Sequence, residues 1–485
     1  VEQLLGCSAF ELARRIRERQ VAAREVVDAH IARIEAVNPV INAVVAQRFD
    51  AARAEAEHID EQREHPAQPL LGVPFTVKEM IEVESMPSTY GCTSRRERIA
   101  KRDATTVARL RAAGAIPLGV TNVPEWGMWY ETENLVYGLT RNPHNPAHTA
   151  GGSSGGEAAI IGAGGSPFGL GSDIGGSIRM PAAFCGVYGH KPSNGLVPLT
   201  GHYPVVPDGN PEPRPVNPYV VVGPLTRQPD DLMPLLRIIA GPDPLDPNST
   251  ALPLHSEQVD WRGRRVFLLE NPGILLAGAP EPAVAQAVLR AANVFADHGA
   301  IVERFPKTFF EDAIDLWTAA LQSIGTPAMA ELVAPVQNGT RPISIAAELA
   351  RAFRGRRNHT WPILGFCALE RLTRKSESAL HKTLERIAAL TRRFHELLGS
   401  DAILILPPHP RTAPRHHQPL LHPFSFGYTA ALNVLRVPAT VAPFGFDSDR
   451  LPLSIQITAG HGNDHLCIAA AGLLGHSSQT STALS

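Results

Sequence analysis

Three short segments place lysine, serine and glycine where chemistry could be done. In Gly72-Val-Pro-Phe-Thr-Val-Lys78 a lysine follows an apolar, β-branched run. If that run is a buried strand, the lysine lies at its end in a medium of low dielectric. Burial disfavours the ammonium, so a neutral amine becomes available as a base. The same spelling also fits a lysine that carries its charge out to water on its long stem. In Gly151-Gly-Ser-Ser-Gly-Gly-Glu157 two serines stand between glycine pairs, where backbone N–H groups could cradle a phosphate or support a reactive hydroxyl. In Gly171-Ser-Asp-Ile-Gly-Gly-Ser-Ile-Arg179 two glycines precede Ser177. They let successive N–H groups turn to one side, which suits an oxyanion beside a nucleophile, although a plain glycine turn opening a helix reads the same way.

The flanking pattern supplies elements to hold these residues. Ser8-Ala-Phe-Glu11 has the spacing of a capping box and predicts a helix from Ala9 to about Arg19. A second helix is expected from Ala23 to Val37, stopped at Asn38-Pro39, and a third over about 47–61. Leu70–Val77 reads as a buried strand, 105–113 as a helix and 116–121 as the next strand. Such alternation predicts an α/β fold whose sheet has covered faces. Within 151–176, eleven of 26 residues are glycine. The embedded apolar runs argue against a linker, and the segment is read as tight turns that bring N–H groups near a ligand. The proline-rich 204–218 reads as an ordered surface loop. From 229 to 400 the signal is mainly helical, with strands near 265–269 and 301–304 and a long helix over 376–399. Strands are expected at 402–406, 439–443 and 453–458, then a helix from Asp464 to Leu474 and a frayed polar tail.

Composition bounds the function. The 485 residues are 44% hydrophobic and 19% charged, with net charge −2, an ordinary globular balance with no basic excess pointing to nucleic acid. Five scattered cysteines without a CxxC spacing argue against a disulfide framework or a zinc ribbon and fit a reducing, cytoplasmic setting. The histidines at 409, 416, 417 and 422 match no zinc spacing, so no metal is assigned and packing within their loop is preferred. Cys185 reads as a small buried apolar residue. No run of about 18 apolar residues predicts a membrane span.

Taken together, the three segments closely resemble the amidase signature family, whose Gly/Ser-rich stretch corresponds to roughly 150–195. Thr121-Asn-Val-Pro-Glu125, Arg141-Asn-Pro143 and Gly189-His-Lys-Pro192 extend the likeness. Glu157, Asp173–Pro181, Pro407–Pro414, His422–Phe426 and Gly462–His465 look most like its fatty acid amide hydrolase branch. The likeness is weakest over about 240–360. It implies the α/β amidase signature fold, a large mixed β-sheet core covered by helices on both faces, as one domain over 1–485: a helical segment 1–65, a signature core 66–230, a more variable helical region 240–400, and C-terminal strands with a helix over 401–475.

By motif position the resemblance implies a Ser–Ser–Lys triad: Ser177 as nucleophile, Ser153, carried in a cis peptide, as proton relay, and Lys78 as base. It implies an oxyanion hole from the N–H groups of Ile174, Gly175, Gly176 and Ser177. Gly127, Met128, Trp129 and Ser154 are expected near substrate, with Asp173 and Arg179 as a buried pair shaping the loop. The implied activity is hydrolysis of a small-molecule amide without a cofactor. Fatty acid amides, aryl amides, anilides and esters all stay open as substrates, as do a homodimer and peripheral membrane contact. Two rivals stand beside it: an amidotransferase subunit of the tRNA-dependent type, and a non-catalytic ligand-binding protein.

Overall fold

A computed structural model describes residues 2–62, 67–202, 217–325, 328–334 and 342–482. Eleven strands form one mixed sheet among these residues. In spatial order they are Val44–Gln47, Ile116–Thr121, Pro74–Lys78, Phe168–Asp173, Val221–Thr226, Tyr188–Lys191, Ala439–Phe446, Pro452–Ala459, Ile403–Leu406, Arg265–Leu268 and Ile301–Arg304. Ile116–Thr121, Pro74–Lys78 and Phe168–Asp173 run parallel to one another. So do Ile403–Leu406, Arg265–Leu268 and Ile301–Arg304. The intervening strands pair antiparallel.

Successive strand residues point to opposite faces, so a strand covered on both sides must be apolar throughout. Val266, Leu268, Ile403 and Ile405 enter one core with Val288 and Phe295 of the helix Pro282–Asp297 and Leu466 and Leu474 of Asp464–Thr482. Their neighbours Phe267, Leu404 and Leu406 enter another, with Phe394 and Leu398 of Glu377–Leu398 and Tyr428 and Leu432 of Gly427–Val434. The unbroken Ile403-Leu-Ile-Leu406 run is the sequence trace of this double burial.

Several boundaries move. Ser8 caps the helix Ala9–Arg17 by accepting from Glu11 N–H at 3.1 Å, but the Glu11 carboxylate turns to Arg14 and Arg15 instead of closing the box. The second helix runs through Pro39 to Ile41. A proline one turn from the end removes a single hydrogen bond, and Asn42, at φ 48°, makes the stop by donating its N–H to Asn38 O. Leu70 and Leu71 form a turn closed by Gly72 at φ 70°, so the strand starts at Pro74 and Lys78 is its last residue. The glycine-dense stretch contains the helix Gly155–Gly162 and the strand Phe168–Asp173 as well as turns. Its glycines are close-approach points: a Cβ on Gly169 would run into Glu157 Oε1, and one on Gly156 into the Asn122 backbone. The closing helix reaches Thr482. Most of the 204–218 reading lies outside the described residues.

Candidate active site

Three parallel strands end at one edge of the sheet, and each brings a polar residue there. Thr121 and Lys78 are register partners, and Ser172 and Asp173 close the neighbouring strand. This is the carboxyl edge at which open α/β sheets collect ligands. Lys78 is fully buried. Its Nζ donates to Ser153 Oγ at 2.6 Å and to Ser172 Oγ at 2.9 Å. Desolvation pushes its pKa down to about 7, against the pull of the Asp173 and Glu157 carboxylates. Ser172 was not singled out from the sequence; its place beside Asp173 in a strand facing Lys78 is what brings it in. Glu157 is also buried, accepting from the hydroxyls of Thr76 and Thr121. Burial pushes its carboxyl up to about 8 despite those bonds. The pair therefore lies in surroundings that favour the neutral form of each.

Gly152–Ser153 is the one cis peptide among the described residues. Ser154 donates its N–H to Ser177 O at 3.1 Å, which brings the two serine loops side by side. Among the described residues no hydrogen bond joins the Ser153 and Ser177 hydroxyls. Ser177 retains 7% exposure where Lys78 has none, so it lies nearer the surface than the lysine.

The backbone before Ser177 can be accounted for group by group. Every carbonyl from Asp173 to Gly176 is bonded on its own side. Asp173 O accepts from Asn433 Nδ2 at 3.3 Å, Ile174 O from Trp317 Nε1 at 2.7 Å, Gly175 O from Thr429 Oγ1 at 2.6 Å, and Gly176 O from Met180 N–H at 2.7 Å. In a trans peptide the N–H points opposite its carbonyl. The N–H groups of Ile174, Gly175 and Ser177 consequently turn the other way and have no partner among the described residues. Gly176 differs: its N–H donates to Asp173 Oδ1 at 2.8 Å. Three of the four expected donors are thus free for a ligand, and the fourth is engaged with a carboxylate.

Asp173 and Arg179 form the expected buried pair, with Nη2–Oδ1 at 2.9 Å and Nε–Oδ2 at 3.0 Å. Burial alone would push the Asp173 carboxyl up; the Arg179 charge and hydrogen bonds outweigh it and hold the group well below the usual range. Arg179 further donates to Asn433 Oδ1, Gln456 Oε1 and Thr429 O. Thr429 and Asn433 stand four residues apart on Gly427–Val434, hence on one helical face. That face backs the Ser177 loop from some 250 residues away in sequence. Sequence reasoning missed it; the available signal was a pair of buried polar residues at i, i+4 in an otherwise apolar short helix.

The remaining expected residues fall at different depths. A Cβ on Gly127 would lie 3.4 Å from Ser153 Oγ, so this backbone does border Ser153. Met128 packs against two apolar clusters, one with Trp126 and Ile363, the other with Trp317 and Val434. Trp129 is half-buried; its carbonyl faces Gly152 and its ring leans on Tyr130. Ser154 is fully buried, and its hydroxyl donates to Ser172 O and accepts from Ser172 N–H, both at 3.3 Å. It supports a residue that touches Lys78. The histidine loop packs on carboxylates and rings: His416 Nδ1 lies 2.9 Å from Glu131, and His409 is buried against Phe184 and Tyr130.

Comparison with known proteins gives the family. The family described as Amidase matches residues 25–468. The chain belongs to the amidase family. It is 40% identical over 482 residues to fatty-acid amide hydrolase 2-B of Danio rerio, covering 96% of this chain and 89% of that one. It is 31% identical over 496 residues to an acylamidase of Rhodococcus erythropolis, covering 97% of this chain and 95% of that one. It is 32% identical over 468 residues to the A-type component of the glutamyl-tRNA(Gln) amidotransferase of Synechococcus, covering 92% of each. A solved structure of 6-aminohexanoate cyclic dimer hydrolase with its substrate superposes with a TM-score of 0.79 at 26% identity, covering 98% of this chain and 97% of that one. The fold is the amidase-signature α/β fold, and the protein is a serine amidase. No described helix is long and apolar enough to cross a membrane.

Proposed function

We propose that the chain hydrolyses carboxylic acid amides carrying an apolar acyl group, as one domain and without a partner chain. Neutral Lys78 takes the proton of Ser153, which takes that of Ser177. The Ser177 oxygen adds to the amide carbonyl, and the oxyanion is met by the N–H groups of Ile174, Gly175 and Ser177. Ser153 then returns a proton to the leaving nitrogen, the C–N bond breaks, and water releases the acid from the acyl-enzyme. The observation that carries this reading is the buried Lys78 Nζ at 2.6 Å from Ser153 Oγ. An apolar acyl group suits the side chains beside the site: Met128, Trp317, Phe366 and Phe426 belong to one cluster. The higher identity to fatty-acid amide hydrolases than to amidotransferase components favours a chain active by itself.

Delivery from a membrane surface fits the same reading. Phe353 is 86% exposed and Leu372 84%, with Trp361 at 42%, on two helices, Ile345–Phe353 and Trp361–Thr373. The same segment exposes Arg351, Arg354, Arg356, Arg357, Arg371 and Arg374. Apolar tips among arginines match an anionic interface. Glu125 ties the segment to the site, accepting from Thr360 N–H at 2.7 Å beside His359 at 2.6 Å. Five free cysteines fit a cytoplasmic location.

Acyl p-nitroanilides of rising chain length test the proposal, with Ser177→Ala as control. Turnover that grows with chain length and vanishes in the variant is expected. Turnover confined to short acyl groups would reject the long apolar substrate, and none at any length would favour the partner-dependent or non-catalytic alternatives.

A further inference from the structure

Ile174 O is the one carbonyl in the Ser177 loop held by an indole N–H. Trp317 comes from the helix Ala313–Ser323, and its indole N–H reaches Ile174 O at 2.7 Å. That carbonyl belongs to the same peptide unit as the Gly175 N–H, so fixing one fixes the other. Nothing else bonds this unit among the described residues. The Gly175–Gly176 unit, by contrast, is held at both ends, by Thr429 and by Asp173. Gly175 also has no side chain to restrict its rotation. The aim of the Gly175 N–H thus rests on one indole.

The other side of that indole faces apolar neighbours. Phe426 meets it edge-on at 5.0 Å and Phe366 at 6.5 Å between ring centroids. Trp317 is 5% exposed and shares its cluster with Met128 and Leu321. A Cβ placed on Gly175 would lie 3.3 Å from Trp317 Nε1, so the ring lies directly against this peptide.

We propose that Trp317 is a positioning residue that aims the Gly175 N–H at the oxyanion, and that contact of the acyl group with its ring tightens that aim. The inference rests on the amidase reading above. An apolar acyl chain that packs on the indole restrains the ring, the ring restrains Ile174 O, and the donor opposite loses its freedom to swing. Acyl contact is then expressed in kcat as well as in KM, because a donor aimed in advance stabilises the transition state more than the ground state.

Trp317→Phe keeps an aromatic wall and removes the N–H. Wild type and variant are compared on a short-acyl and a long-acyl p-nitroanilide, and with a long-acyl trifluoromethyl ketone, whose adduct with a serine carries the tetrahedral oxyanion. The expected result is a fall in kcat of about ten- to a hundred-fold, somewhat less than loss of a direct oxyanion donor. KM should change little for either substrate, the ketone should weaken by a matching factor, and the kcat advantage of the long acyl group should disappear. A variant with unchanged kcat, or one in which only KM rises, overturns the proposal. Thermal denaturation of both proteins guards against misfolding. If Trp317→Phe proves unstable, Phe426→Leu, which loosens the ring while leaving the N–H, should reduce kcat for the long substrate selectively; an equal effect on both substrates would overturn the proposal too. Loss of all turnover in wild type would instead count against the amidase reading itself.

Discussion

Replacing Lys78 by arginine keeps a cation at the end of its strand and removes the ability to act as a base. Burial lowers the lysine from 10.5 to about 7. At pH 7 a lysine with its ordinary pKa is neutral roughly once in 3,000 molecules, and one at about 7 roughly once in two. Burial therefore raises the population of competent base by about 1,500-fold, while a guanidinium, which does not deprotonate in proteins, has essentially none. Lys78→Arg should reduce kcat/KM by about two to four orders of magnitude, the usual range for a positioned acid–base group. In wild type, kcat/KM should climb with unit slope below pH 7 and level above about pH 8, losing roughly 50-fold between pH 7 and pH 5. The assay is p-nitroaniline release from pH 5 to 10 at subsaturating substrate. A flat profile, or a Lys78→Arg enzyme within ten-fold of wild type, would refute the relay.

Further expectations follow from the same contacts. Asp173→Asn leaves the fully buried Arg179 guanidinium without its carboxylate, and breaking a buried pair in this way costs about 3–5 kcal/mol; urea denaturation reads it, and a change under 1 kcal/mol would mean that Asn433 and Gln456 suffice. Lys78→Met removes a charge-burial penalty. The folded lysine has the lower pKa, so between about pH 7 and 10.5 the unfolded state binds more protons and this residue's contribution to stability rises with pH. The variant should be inactive yet more heat-stable at pH 7, and equal or lower stability would contradict the burial argument. Gly176→Ala puts a Cβ into Thr429 Oγ1 at a backbone φ of 123°, so stability should fall by about 1–3 kcal/mol and fluorophosphonate labelling should cease; normal labelling would show that the loop yields. Combining Phe353→Ser with Leu372→Ser should abolish sedimentation with anionic vesicles and leave turnover of a water-soluble short anilide intact; unaltered sedimentation would dismiss the membrane face.

The residues of the proposed triad stand out in the sequence because each lies in a local spelling with a physical purpose: a lysine after an apolar run, and serines flanked by glycines that allow close backbone approach. Most of the sheet was legible for a similar reason, since double burial leaves unbroken apolar runs such as 403–406. What could not be read was action at a distance. Trp317, Thr429 and Asn433 are single residues in ordinary helices, and only the fold brings them behind the Ser177 loop. The strands Tyr188–Lys191 and Val221–Thr226 carry Gly and Pro that weaken a strand signal. Pro39 shows the opposite error, a breaker tolerated because it falls in the last helical turn. Glycine density over 151–176 suggests turns alone, whereas the structure uses several glycines to press the helix Gly155–Gly162 and the strand Phe168–Asp173 against their neighbours.

The proposed mechanism passes through a covalent acyl-enzyme on Ser177, formed with Lys78 as base. Mixing the protein with a long-acyl p-nitroanilide and quenching in acid within the first turnover, followed by peptide mass spectrometry, tests it most directly. An added acyl mass on the peptide containing Ser177, absent in Ser177→Ala and strongly diminished in Lys78→Arg, is the predicted result. Acyl mass on another residue, or p-nitroaniline released with no trapped acyl group at any quench time, would contradict it.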